Sequence, residues 1–149
     1  MDRTLVLLKP DAIQRGLVGN IVGRLEARGL KIVGLRFMQV DRPLAERHYA
    51  VHQGKPFYLG LVDFITSGPI VALALEGRNA VDAVRATMGA TDAVKAAPGT
   101  IRGDLGIDLG HNLIHGSDSA ETAVNELRLF FPDGVVDYAR ALDGWITEA

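Results

Sequence analysis

The segment Asn112-Leu113-Ile114-His115-Gly116-Ser117-Asp118 sets a histidine after two aliphatic residues and before a glycine, with a short polar run opening a helical pattern. That spacing puts His115 at the end of a strand with its neighbours at a helix start, the kind of position where binding groups gather. An imidazole with an ordinary pKa near 6.5 is mostly neutral at cell pH. A neutral ring nitrogen can attack a terminal phosphoryl group in line. The P–N bond so formed is labile, so the group can pass to a second acceptor. Such a nucleophile needs its ring fixed through the other nitrogen, and a carboxylate such as Glu126 or Asp118 is a candidate partner. A lone histidine can also be a hydrogen-bonded structural residue, and residue chemistry alone leaves both readings open.

A phosphate would have to be held by side chains. No two of the 17 glycines are spaced G-x-G, and the P-loop, Rossmann and protein-kinase signatures are absent. Lys9, Arg85 and Arg102, with Thr91 as a neutral donor, form one possible set. Each also has a plain explanation. Lys9 can be a solvated strand-end lysine, and Arg85 can complement a helix dipole. His48 and His52 share the i, i+4 spacing of a metal pair but lack a third ligand, so a protein-borne metal site is not expected.

The 149 residues suit one domain spanning 1–149 with a sizeable buried core. With no cysteine, redox, zinc-thiolate and cysteine-nucleophile chemistry are excluded. Sixteen Lys+Arg against eighteen Asp+Glu, a formal charge of −2, gives no electrostatic case for nucleic acid. The apolar run near the N-terminus is too short for a signal peptide or a membrane span, so no membrane partner is expected and the default is cytoplasmic.

The positioning elements follow from periodicity. Residues 3–8 read as a buried strand ended by Lys9-Pro10. Val18, Ile21, Val22 and Leu25 mark one helix face stopped by Gly29. Residues 31–40 read as a second strand with Val33, Leu35 and Phe37 on one face. Pro43 opens a helix to about Gln53 that carries His48, Tyr49 and His52. Phe57, Leu61, Phe64 and Ile65 form another helical stripe, and residues 70–75 a third strand. Asn79 can cap a helix with Val81, Val84 and Met88 buried and Arg85 in its last turn. From Gly89 to Gly110 periodicity dissolves into a long functional loop. Leu113 and Ile114 make a fourth strand. Asp118 or Ser119 caps a last helix with Val124, Leu127 and Phe131 inward and Glu126 on a flank. The tail from Pro132 wraps the surface or a neighbouring subunit. This order points to an α+β fold, a ferredoxin-like (split β-α-β) four-stranded antiparallel sheet with helices on one face.

The 112–118 segment resembles the active-site signature of nucleoside diphosphate kinases. The likeness continues through Thr4 to Asp11, His48-Tyr49, Lys55-Pro56-Phe57, Glu76-Gly77, Met88 to Thr91 and Pro98 to Asp104, covering essentially the whole chain. The resemblance implies ping-pong exchange of a γ-phosphoryl group between nucleoside triphosphates and diphosphates, with His115 phosphorylated. It implies that Lys9 and Tyr49 assist transfer and that Lys9 and Asn112 reach the ribose 3′-hydroxyl. It further implies that Arg85, Thr91 and Arg102 bind inner phosphates, that Ser117 and Glu126 support His115, and that the base lies between Phe57 and Leu109. Mg²⁺ would arrive bridging the phosphates. A homo-oligomer is implied, a hexamer ahead of a tetramer.

The chain departs from the family pattern at three places. Asp92-Ala93 stands where the loop usually carries a proline, Leu109 replaces a valine, and Leu75 replaces a tryptophan. Outside the resemblance, the competing readings are a phosphohistidine carrier, which needs an exposed histidine on a flat surface, and a ferredoxin-like regulatory module. For the attacking imidazole the residues imply an acid limb of activity at or below about pH 6.5 and a plateau through about pH 8.

Overall fold

The structure is a computed structural model that describes residues 1–148; Ala149, the end of the tail and of the 1–149 span, lies outside the described residues. Its sheet is built from β1 (Asp2–Leu8), β2 (Lys31–Met38), β3 (Ile70–Gly77) and β4 (Ile114–Gly116), in the order β2-β3-β1-β4 with every neighbour antiparallel. The two halves, β1 to β2 and β3 to β4, each cross over through a helix: α2 (Val18–Ala27) after the short α1 (Pro10–Gln14), and α5 (Ala80–Met88). This is the ferredoxin-like arrangement expected.

Helices cover both faces of the sheet rather than one. On β1, Val6 and Leu8 pack with Ile21 and Leu25 of α2 and Val84 and Met88 of α5. Leu5 and Leu7 face the other way, onto α3 (Arg42–His48), α4 (Tyr58–Ile65) and α7 (Ala120–Phe130). The reason is in the strands. Leu5-Val6-Leu7-Leu8 and the run from Ile70 to Leu75 are apolar on successive residues, so neither face can be left to water. Each fully buried Leu or Val contributes roughly 1.5–3 kcal/mol.

β2 departs from simple alternation. Its pairing steps from Ile32↔Leu75 to Gly34↔Ala74, so Val33 is an extra, bulged residue. Val33 packs into the Leu5/Leu7 layer, whereas Leu35 and Phe37 fall on the opposite face and are 56% and 66% exposed. Gly34 is required at the bulge: a Cβ there would lie 2.7 Å from the Phe131 ring.

Several ends differ from expectation. α3 stops at His48, and the chain continues as a 3₁₀ turn over Ala50–His52. Asn79 sits in the left-handed region (φ 53°) and makes no side-chain cap for α5. Ser119 caps α7, in a reciprocal box with Thr122 rather than with Glu121. Within α7, Ala123 and Phe130 are the buried residues, while Val124 points to solvent.

The span from Gly89 to Gly110 is not structureless. It holds a 3₁₀ turn at Ala93–Lys95, capped by Asp92, and α6 (Ile101–Leu105), capped by Thr100. The tail folds back on its own chain, with Val136 N–H donating to Val33 O at 2.8 Å and Arg140 to Gly29 O at 3.1 Å, and ends in α8 (Asp143–Ile146). No helix among the described residues is long and apolar enough to cross a membrane.

Candidate active site

β4 is three residues long and pairs with β1 so that His115 stands opposite Leu7. Because Leu7 faces the α3/α4/α7 layer, the imidazole points to that side, where α7 delivers Glu126. Both Glu126 oxygens lie 3.1 Å from His115 Nε2. Ser117 Oγ donates to Oε1 at 2.6 Å and accepts from Leu5 N–H at 3.3 Å, tying the carboxylate to the sheet. Burial alone would raise the Glu126 pKa, but the bonds from His115 and Ser117 hold it below the ordinary carboxylate value. An ionised Glu126 can only accept, so Nε2 carries the proton and Nδ1 keeps its lone pair. Asp118, the other candidate partner, accepts from Thr122 Oγ1 at 2.7 Å instead.

The cations arrive from three elements. Lys9, at the end of β1, donates from Nζ to Asn112 Oδ1 at 2.8 Å. Burial first, and then the Arg102 charge, push its pKa down to about 8. Asn112 in turn donates to Thr91 O at 3.0 Å, joining the strand end to the loop. Arg102, on α6, is buried and donates to Asn112 O, Gly89 O and Ile114 O. Burial and the neighbouring Arg85 lower its pKa to about 10, so it remains charged at neutral pH. Arg85 approaches Gly116 O at 3.4 Å. Gly116 makes that approach possible, since a Cβ there would stand 2.6 Å from Met88 Sδ and 3.0 Å from Val84 Cγ1 on α5.

The backbone between these groups is strained. Leu113 has φ 75°, and Ile114 N–H donates to Asn112 O at 2.9 Å, closing a three-residue γ-turn of the rare left-handed kind.

A cavity of about 500 Å³ opens over these residues, within the range of small-ligand sites. It brings together Lys9, Tyr49, Arg85, Thr91, Arg102, Asn112, His115 and Glu126, with Ser117 behind Glu126. The Tyr49 phenol is buried beside Glu126, which raises its pKa to about 12 and keeps it protonated. His115 is recessed, with 24% of its side chain accessible, which is not the flat presentation a carrier histidine needs.

Phe57 and Leu109 do not line the cavity; they are 51% and 60% exposed. They lie on segments that touch through the Phe64 and His111 rings. Phe57 contacts His52, a lining residue, with ring centroids 5.2 Å apart. His111 stacks on Phe64 of α4 at 4.7 Å, which holds the 106–112 loop against that helix.

Two residues had no assigned part in the sequence reading. Asp11 accepts from Leu113 N–H at 3.0 Å. His48, weighed there as half of a metal pair, is a buried wall against His115. Among the described residues the group able to hold a metal is His48, His115 and Glu126, without His52. An acid at a helix start and a histidine beside Tyr49 carry no signal of contacts made with Leu113 and His115, far along the chain.

Known proteins match this chain along nearly its full length. The family model for nucleoside diphosphate kinase covers residues 2–136. The nucleoside diphosphate kinase of Thermomicrobium roseum is 59% identical over 98% of this chain and 99% of its own length; that of Desulforamulus reducens is 56% identical over 99% and 100%. A halophilic nucleoside diphosphate kinase from Halobacterium salinarum, solved in complex with CDP, superposes with a TM-score of 0.96 at 57% identity, covering 99% of each chain. The chain belongs to the nucleoside diphosphate kinase family. Its activity is that of the family, transfer of a γ-phosphoryl group from a nucleoside triphosphate to a nucleoside diphosphate through a phosphohistidine.

Proposed function

We propose that His115 Nδ1 is the atom that takes the phosphoryl group. The observation that carries this reading is the bond from Nε2 to Glu126, which leaves Nδ1 as the unengaged nitrogen of a ring lining a cation-bearing cleft. Nδ1 attacks the γ-phosphorus of a bound triphosphate. A P–N bond forms, the bond from the γ-phosphorus to the bridging oxygen breaks, and the diphosphate leaves. The Nε2 proton stays on the ring, shared with Glu126, which stabilises the imidazolium character of the phosphohistidine. The second half-reaction reverses these steps on an incoming diphosphate.

Arg85, Arg102 and Thr91 bind the inner phosphates. Lys9 and Tyr49 offer a cation and a protonated phenol to the moving group. Asn112 and Lys9 reach the ribose, and the base stacks at the mouth between Phe57 and Leu109. The CDP held by the Halobacterium salinarum relative supports nucleoside di- and triphosphates as the occupants.

Mg²⁺ fits this site as a passenger on the phosphates. The cleft carboxylates are already engaged, Glu126 by His115 and Ser117 and Asp118 by Thr122, so no oxygen cage is free. The set His48, His115 and Glu126 is rich in nitrogen and suits softer ions. When bound, Mg²⁺ neutralises and orients the phosphates, and Arg85, Arg102 and Thr91 hold them from the protein side.

We take residues 1–149 as one catalytic domain working in the cytoplasm, where its nucleotides are, with no nucleic-acid partner. It assembles as a homo-oligomer, a hexamer ahead of a tetramer. The apolar Leu35 and Phe37, exposed on the edge strand β2, support a subunit contact there.

Incubation with γ-labelled ATP followed by GDP tests the reading. The protein becomes labelled, GDP removes the label as GTP, and His115→Ala does neither. Substantial turnover by His115→Ala would refute the assignment.

A further inference from the structure

We propose that Asp11 is a positioning residue for phosphoryl transfer: its carboxylate holds Leu113 in the left-handed turn and so aims Asn112, with Lys9, at the reacting groups. The proposal rests on the roles given above to His115, Lys9 and Asn112.

Leu113 is an unlikely residue for positive φ. Its side chain is branched and fully buried, and φ 75° is unfavourable for a non-glycine residue unless its surroundings over-determine it. The γ-turn's own hydrogen bond is poor compensation. What over-determines it comes from the far end of the chain: Leu113 N–H donates to Asp11 Oδ2 at 3.0 Å, and Leu113 O accepts from Lys9 N–H at 2.9 Å. Both backbone groups of one residue are thus held by residues two apart on the β1–α1 junction. Pro10 opens α1 between them and stiffens the pair.

The neighbours of Leu113 are the groups that matter. Asn112 bridges Lys9 Nζ and Thr91 O, and His115 follows two residues on. If Leu113 relaxed to negative φ, the chain would leave the turn and Asn112 would swing off Lys9.

Charge gives Asp11 a second effect. Among the described residues its buried Oδ1 has no hydrogen-bond partner, so an amide loses no second bond there and its oxygen can still accept from Leu113 N–H. What the carboxylate adds is a negative charge near Lys9, which opposes the burial and the Arg102 charge that depress the Lys9 pKa. Geometry and charge can therefore be separated by substitution. Asp11→Ala removes both, and Asp11→Asn removes only the charge.

The experiment measures single-turnover phosphorylation of His115 by ATP from about pH 6 to about pH 10, with nucleotide Kd and thermal melting recorded on the same full-length proteins. Asp11→Ala lowers the phosphorylation rate about a hundredfold while Kd stays within about tenfold. Asp11→Asn recovers most of the rate at neutral pH, but its alkaline limb moves to lower pH because Lys9 loses its proton more readily. Wild-type rates in Asp11→Ala, or equal losses in both variants with unmoved pH profiles, would reduce Asp11 to a structural residue. If Asp11→Ala does not fold, an unmoved alkaline limb in Asp11→Asn overturns the charge role, and loss of most of its neutral-pH rate overturns the geometric one. A wild-type protein that takes no label overturns the His115 reading and this proposal with it; a labelled wild type beside an unaffected Asp11→Ala overturns this proposal alone.

Discussion

The His48 ring stands edge-on to the His115 ring, with centroids 4.8 Å apart and planes at 84°. Burial, reinforced by the charge of a protonated His115, pushes the His48 pKa down to about 3. His48 is therefore a neutral wall that neither competes for Glu126 as a cation nor takes protons from the nucleophile at working pH.

That burial makes stability sensitive to acid. Unfolded, His48 binds a proton below about pH 6.5; folded, it resists until about pH 3. Between these values the unfolded state holds the extra proton. The contribution is complete above about 6.5 and is lost as pH falls, with a limiting slope of about 1.4 kcal/mol per pH unit. Urea denaturation at several pH values between neutral and about 4 should show wild type losing stability more steeply than His48→Gln. Parallel slopes would contradict the buried neutral state.

Glu126→Gln tests the tautomer. The amide cannot stabilise a ring that becomes imidazolium-like, so kcat should fall about a hundredfold or more with little change in KM. A fall confined to KM would mean that Glu126 acts in binding.

Lys9 sets the alkaline limit. Its charge is present below about pH 8 in the free protein and is lost above that value, so kcat/KM should decline there. This ends the plateau earlier than the imidazole alone implies. In Lys9→Arg, whose guanidinium stays charged, absolute activity drops but the alkaline limb should disappear. An unchanged limb would assign the ionisation to another group.

In the proposed base slot, the exposed Phe57 and Leu109 would offer stacking and no polar readout. The spread of kcat/KM across ADP, GDP, CDP and dTDP should stay within about a thousandfold, and Phe57→Ala should lower all four together. Loss for one base alone would reveal a hydrogen-bonded base site.

Much of this architecture was legible in short-range pattern. The Ile21/Leu25 stripe of α2, the apolar runs of β1 and β3 and the glycine-flanked His115 are signals within a few residues, and Lys9, Arg85 and Arg102, expected at a strand end, a helix end and the long loop, line one cavity with Glu126. What was missed depends on contacts far along the chain. The bulge at Val33 turns Leu35 and Phe37 to the opposite face, because register is set by β3 and by the Phe131 ring over Gly34. α6 is too short to show a period, and its cap at Thr100 is a single residue. The continuous apolar runs of β1 and β3 argued for cover on both faces, yet element order alone suggested one. Sequence places Arg102 on a loop as a phosphate ligand; its burial against three backbone carbonyls also makes it the pin of β4.

In the proposed tautomer Glu126 occupies His115 Nε2 and leaves Nδ1 to react. Phosphorus NMR of the protein phosphorylated by ATP, with the isomer identified by its coupling to the labelled imidazole ring, tests it most directly. The predicted result is phosphate on Nδ1 of His115, removed on addition of GDP. Phosphate on Nε2, or on another residue, would contradict it.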